Sequence, residues 1–134
     1  MDMSYIGNQL TYIKLDDFIL ELYNNKNQNH VVLTEKLINS KNSKIVYDIN
    51  QILVNIKKSN KEDYISDAYA VQYRGNLIGL VFVNYNEEIE LRVGLIDEYK
   101  DMNLEVLLEK ELSKKLLEIH PRFDYIKEDK NYKI

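Results

Sequence analysis

The chain has no cysteine and no tryptophan, one proline and four glycines among its 134 residues. Without cysteine there is no disulfide framework, thiolate metal site, cysteine nucleophile or redox pair. So little Pro and Gly excludes collagen-like, linker-like and low-complexity stretches. The two histidines, His30 in an Asn-rich loop and His120 just before Pro121, form no His-x-x-x-His pair and no cluster at ligand spacing. Gly-x-Ser-x-Gly, Walker and dinucleotide glycine fingerprints are missing as well. Hydrolase triads, metalloenzymes and P-loop enzymes are thereby set aside. The longest apolar runs fall far short of the ~20 residues that span a bilayer. Met1–Gly7 has neither the basic start nor the apolar core of a secretory signal. The expectation is a cytoplasmic protein without membrane contact.

What is present fits one soluble domain covering residues 1–134, with 45% apolar and 30% charged residues in 15.9 kDa. The net charge of −4 argues against a nucleic-acid binder held by phosphate contacts. Its distribution is uneven. Residues 1–61 carry eight Lys against six acids, whereas residues 62–134 carry ten Lys/Arg against sixteen acids. Glu87–Glu111 alone holds nine acids and three cations. Such a stretch reads either as a solvated acidic face or as a surface that attracts a cationic substrate.

Periodicity outlines the elements. Gln9–Leu15 alternates and reads as a strand. Asp16 offers an N-cap to Asp17–Tyr23, read as an amphipathic helix. Residues 31–45 are ambiguous, with Val31, Leu33, Leu37 and Ile38 fitting a short helix. Asp48 caps a predicted helix over Ile49–Lys58. From Asp67 the period becomes two: Ala68–Tyr73 and Leu77–Tyr85 are strands joined through Arg74-Gly75-Asn76, where Gly75 and Asn76 tolerate positive φ. Glu88–Ile96 forms another strand and Asp97–Met102 a polar loop. Leu104–Ile119 is the strongest helix, with Leu104, Leu108, Leu112 and Leu116 on a stripe widened by Leu107 and Leu117. Phe123–Lys127 reads as a last short strand. The order is β-α-α-β-β-β-α-β.

The hairpin, acidic strand, polar loop, long helix and short strand together resemble the GNAT N-acetyltransferase family over most of the chain. Tyr69–Val83, with its turn and Ile78-Gly79 pair, looks like the family's second and third strands, and Ile89–Leu95 like the fourth. Asp97-Glu98-Tyr99-Lys100 is similar to Pro-Glu-Tyr-Arg, and Phe123–Asn131 to the fifth strand. The resemblance implies an α/β (α+β) fold: a mixed, mainly antiparallel sheet of about five strands with helices on both faces.

It also implies acetyl-CoA as co-substrate and a small cationic amine or a protein amine as acceptor. In the family's Arg/Gln-x-x-Gly-x-Gly/Ala loop, small residues let backbone amides close on the pyrophosphate. Carried over, Lys100 takes the basic position, Asn103 the first glycine and Glu105 the second small residue. The backbone of Lys100, Asp101, Met102, Asn103, Leu104 and Glu105 would hold the pyrophosphate, and Leu95 would contact the pantetheine. Asn103 still tolerates positive φ, while Glu105 sets a carboxylate where a phosphate should lie. On the strand like the family's fourth, Glu90 is the positional candidate for general base and Glu88 the second, each with a solvent-facing alternative.

Two functions follow. One is a GNAT-like N-acyltransferase, active or with activity reduced or lost; the other is a non-catalytic GNAT-shaped binding or regulatory module. A third reading takes the element order as that of an unrelated α+β domain. Family members continue into a fourth helix and two more strands, so Leu104, Leu107, Leu112 and Leu116 of the Leu104–Ile119 helix are expected to be incompletely covered. A homodimer through that helix or the last strand would cover it.

Overall fold

The computed structural model describes residues 3–6, 9–39, 66–85, 89–119 and 126–128. The predicted helix Ile49–Lys58 and the second candidate base, Glu88, lie outside them. Seven strands form one sheet in chain order: β1 (Met3–Ile6), β2 (Gln9–Lys14), β3 (Phe18–Leu22), β4 (Ser66–Tyr73), β5 (Asn76–Tyr85), β6 (Ile89–Leu95) and β7 (Ile126–Glu128). The first five pairings are antiparallel, and β7 lies parallel to β6. Helices α1 (Gln28–Ile38) and α2 (Leu104–Ile119) complete the described elements, with a 3₁₀ helix at Asp97–Met102 between β6 and α2. The class is mixed α+β, as expected, with more strands than the expected five.

One correction accounts for much of the difference. Asp17–Tyr23 is not a helix. Phe18 and Leu20 are buried while Ile19 is half-buried and Glu21 exposed, the two-residue alternation of a strand. Asp16 and Asp17 form the turn that returns the chain from β2, closed by the Leu15 N–H donating to the Phe18 carbonyl at 2.8 Å. In β2, Leu10 and Ile13 are both buried although three positions apart. The reason is a bulge: Tyr5 pairs with Leu10 and Ser4 with Tyr12, so Thr11 is the extra residue that inverts the parity.

Between β4 and β5 the tight turn takes positive φ at Arg74 (50°) and Gly75 (82°), one position earlier than the expected Gly75 and Asn76. Two successive positive values suit the twist of a two-residue hairpin turn. The next glycine has a different reason. A Cβ at Gly79 would collide with the Gly94 carbonyl oxygen, so β5 and β6 approach closely only because it is absent.

Two apolar clusters use alternate residues of the same strands. Tyr69, Val71, Val81, Val83, Leu91 and Val93 pack with Leu104, Leu108, Leu112 and Leu116 of α2. Ala68, Ala70, Leu80, Phe82 and Ile96 pack with Leu33 and Leu37 of α1. Of the four leucines expected to be incompletely covered, Leu104, Leu112 and Leu116 are at most 4% exposed, against the expectation, and Leu107 is partly buried against the same cluster. Ile13, Phe18 and Leu20 of β2 and β3 belong to the same cluster, so the early strands supply the cover. The buried Tyr69 hydroxyl lies 3.0 Å from the Leu10 carbonyl and 3.2 Å from Asp67 Oδ2, tying β4 to β2 across β3.

Candidate functional site

The segment leaving β6 is the first candidate. Ile96 is extended, and its N–H donates to the Ile78 carbonyl at 2.8 Å, holding the strand end against β5. The chain then winds into the 3₁₀ turn, where the Tyr99 N–H donates to the Ile96 carbonyl. Asn103 reverses it with φ 56° and ψ 19°, the left-handed region that Asn tolerates better than most residues. The Leu107 N–H donates to the Asn103 carbonyl at 3.3 Å, so the amides of Leu104 and Val106 lie ahead of the helical ladder of α2. That backbone fits a pyrophosphate, because amides at a helix start attract anions.

The side chains of this turn favour an anion less. Lys100 Nζ lies 2.9 Å from Asp97 Oδ1, so the one cation of the turn is engaged within it. Glu105 is half-buried in the first turn of α2, and Met102 is 53% exposed. Leu104 is buried under α2. The side chain of Asp101 lies outside the described residues.

Of the two strand residues, Leu95 ends β6 just before that turn and Glu90 is placed apart from it. Leu95 pairs with Gly79 and its side chain is buried in the α2 cluster, so only its backbone is available to a ligand. Glu90 is half-buried near the start of β6, opposite Asn84 on β5 and Lys127 on β7. Five residue steps along the strand separate it from Leu95, about 17 Å. It does not line the cavities described below. Lys100 to Glu105 thus share one turn, and Glu90 stands at the other end of the strand.

A second feature was not read from the sequence. His30 is not a loop residue but the third residue of α1, and it is 3% exposed. Asn27 caps the helix, its Oδ1 accepting from the N–H groups of Asn29 (2.9 Å) and His30 (3.4 Å). Asn24 Oδ1 accepts from the Lys26 N–H, so the Asn-rich run satisfies its own backbone while turning the chain. The Asn24 N–H donates to His30 Nδ1 at 3.1 Å, and the ring stacks on Tyr23 at 5.8 Å. Burial pulls His30 below the ordinary imidazole value, with the Glu21 carboxylate opposing.

His30 borders a cavity of about 450 Å³ between α1 and the strand ends. Glu21, Gln72, Glu98 and Tyr99 line it as well, over an apolar wall that includes Leu33, Ala70 and Ile96. A second cavity, about 600 Å³, lies between the β2–β3 turn and α2, bordered by Asp16, Asp17 and Glu111. Among the described residues no three His, Asp or Glu side chains are grouped to hold a metal ion. No helix among them is long and apolar enough to cross a membrane. Compared with known proteins, the chain matches no family model and no curated relative.

Proposed function

We propose that the chain is a GNAT-like N-acyltransferase that moves acetyl from acetyl-CoA to an amine. The observation that carries the reading is the left-handed Asn103 set between the end of β6 and the 16-residue α2. It supplies the turn for which the family uses glycine. The proposal includes the GNAT-like arrangement with helices on both faces, supported by α1 and α2 packing on alternate residues of β4 and β5. It also includes a cytoplasmic setting.

In this reading backbone amides of Lys100–Glu105 bind the pyrophosphate and the Leu95 backbone orients the pantetheine arm. Acetyl-CoA supplies the activated acetyl thioester. Glu90 accepts the proton that a cationic amine must lose before its nitrogen attacks the thioester carbonyl; the C–S bond then breaks and solvent protonates the departing CoA thiolate. The acidic stretch Glu87–Glu111 draws such an amine toward the protein.

A second reading has its own observation. The Lys100–Asp97 pair and the Glu105 carboxylate both weaken the turn as an anion site, which favours a non-catalytic GNAT-shaped binding module. Acetyl-CoA at 100 times its dissociation constant should stabilise the fold by about 2.7 kcal/mol, read as a rise in Tm. In a transfer assay against a panel of amines, Glu90→Gln should lower turnover about 10²- to 10⁴-fold without lowering Tm. No rise in Tm overturns the proposal, and a rise without transfer selects the binding module.

The proposal extends to a homodimer, now resting on strand edges alone because α2 is already covered. β1 and β7 are the outer strands of the sheet, and an outward edge is readily covered by pairing with a second copy. Light scattering should give twice the 15.9 kDa of one chain. A monomer at tens of micromolar refutes it.

A further inference from the structure

The cavity beside His30 has the groups of a small-molecule site, and they define the ligand. Because Nδ1 accepts from the Asn24 N–H, the neutral ring carries its proton on Nε2. Nε2 lies 3.8 Å from Glu21 Oε2, beyond hydrogen-bond length. A donor on a ring that is 3% exposed and an acceptor on a 53% exposed side chain therefore face each other across a gap. A hydroxyl oxygen placed to one side of the pair, about 2.8 Å from each atom, accepts from Nε2–H and donates to the Glu21 carboxylate.

The rest of the lining selects charge. Glu98 borders the cavity and makes no ion pair among the described residues, and Tyr99 beside it offers an aromatic ring. A carboxylate next to a ring suits an organic cation. Among the described lining residues Glu21 and Glu98 outnumber Lys36, the one cation, and His30 is neutral. Val32 and Leu77, the more accessible apolar residues of the lining, accept an apolar body, and about 450 Å³ lies within the range of ligand pockets.

The geometry points to this cavity as a binding site for a small organic cation bearing a hydroxyl group, with the hydroxyl between His30 and Glu21 and the cationic end at Glu98 and Tyr99. The assignment does not depend on acyl transfer.

Choline is a suitable probe, since its quaternary nitrogen cannot be acylated and binding is read without acetyl-CoA. Titrated into the full chain and followed by the His30 ring resonances, choline should bind saturably with a dissociation constant of about 1 mM or below. Glu98→Gln and Glu21→Gln, both at exposed positions, should leave Tm unchanged and each weaken choline at least about tenfold. Tetramethylammonium, which lacks the hydroxyl, should bind more weakly than choline and respond to Glu98→Gln but not to Glu21→Gln. Absence of saturable binding, choline affinity unmoved by either substitution, or equal affinity for the two cations overturns the assignment. A chain that binds choline but never acetyl-CoA keeps this site and loses the acyltransferase reading.

Discussion

At the scale of single residues, Glu111 shows how a surface helix acquires a pH dependence. It sits on α2, where its Oε1 accepts from the Asp17 N–H at 2.9 Å. Its Oε2 is buried and has no hydrogen-bond partner among the described residues. Burial first, then a side-chain hydrogen bond with Asp17, and then the negative charge of Asp17 and Asp16 push the carboxyl up to about 7 from an ordinary 4.5, against the opposing Asp17 N–H bond. The folded chain thus holds this proton more tightly than the unfolded one. The resulting stability is fully present below pH 4.5 and is lost as pH rises through about 7. Glu111→Gln keeps the acceptor oxygen but never ionises. Its Tm should exceed that of the unchanged protein by a few degrees at pH 8, with a smaller difference at pH 5. Equal differences at both pH values would show that Glu111 is ionised alike in the folded and unfolded states. His30 has the opposite sign: a lowered imidazole is a loss of stability that grows as pH falls below 6.5.

At the scale of elements, legibility in the sequence follows length and period. The helix Leu104–Ile119 has the bounds its leucine spacing predicts, because four turns with one apolar stripe leave little ambiguity. Strands β4, β5 and β6 are legible within two residues for a similar reason, since alternation continues across turn signals. β3 misleads because it is five residues long and follows an Asp pair. Short apolar runs do not separate strand from helix, and an aspartate suits a turn as well as a cap. The alternation of Phe18 and Leu20 against Ile19 and Glu21 was the signal that could have decided it. The left-handed Asn103 was legible as a position tolerating positive φ. The cavity was not, because its walls come from α1, β3, β4, β5 and the 3₁₀ turn, and no local pattern reports which of these meet. An Asn three positions before His30 was the only trace, as a helix cap that would have placed the histidine inside a helix.

At the scale of the whole molecule, the order of strands decides where stability is concentrated. β4 and β5 lie in the middle of the sheet, and consecutive residues of each are buried: Ala68 to Val71 in β4, and Ile78 to Val83 in β5. Alternate residues of these strands belong to two apolar clusters, one with the leucines of α1 and the other with those of α2. Opening them exposes both clusters at once, so their amides are released only with the fold as a whole. β1 is the contrast: an outer strand with Ser4 and Tyr5 exposed and a bulge in its only described pairing. Its hydrogen bonds can break while both clusters remain closed. Native-state hydrogen exchange should therefore give β4 and β5 the global free energy, about 5–15 kcal/mol for a domain of this kind. The β1 amides should exchange through local opening well below that value, insensitive to low denaturant. Exchange from β1 that tracks the β5 amides would show that the outer strand is part of the same cooperative unit, and that its bulge and exposure do not weaken it.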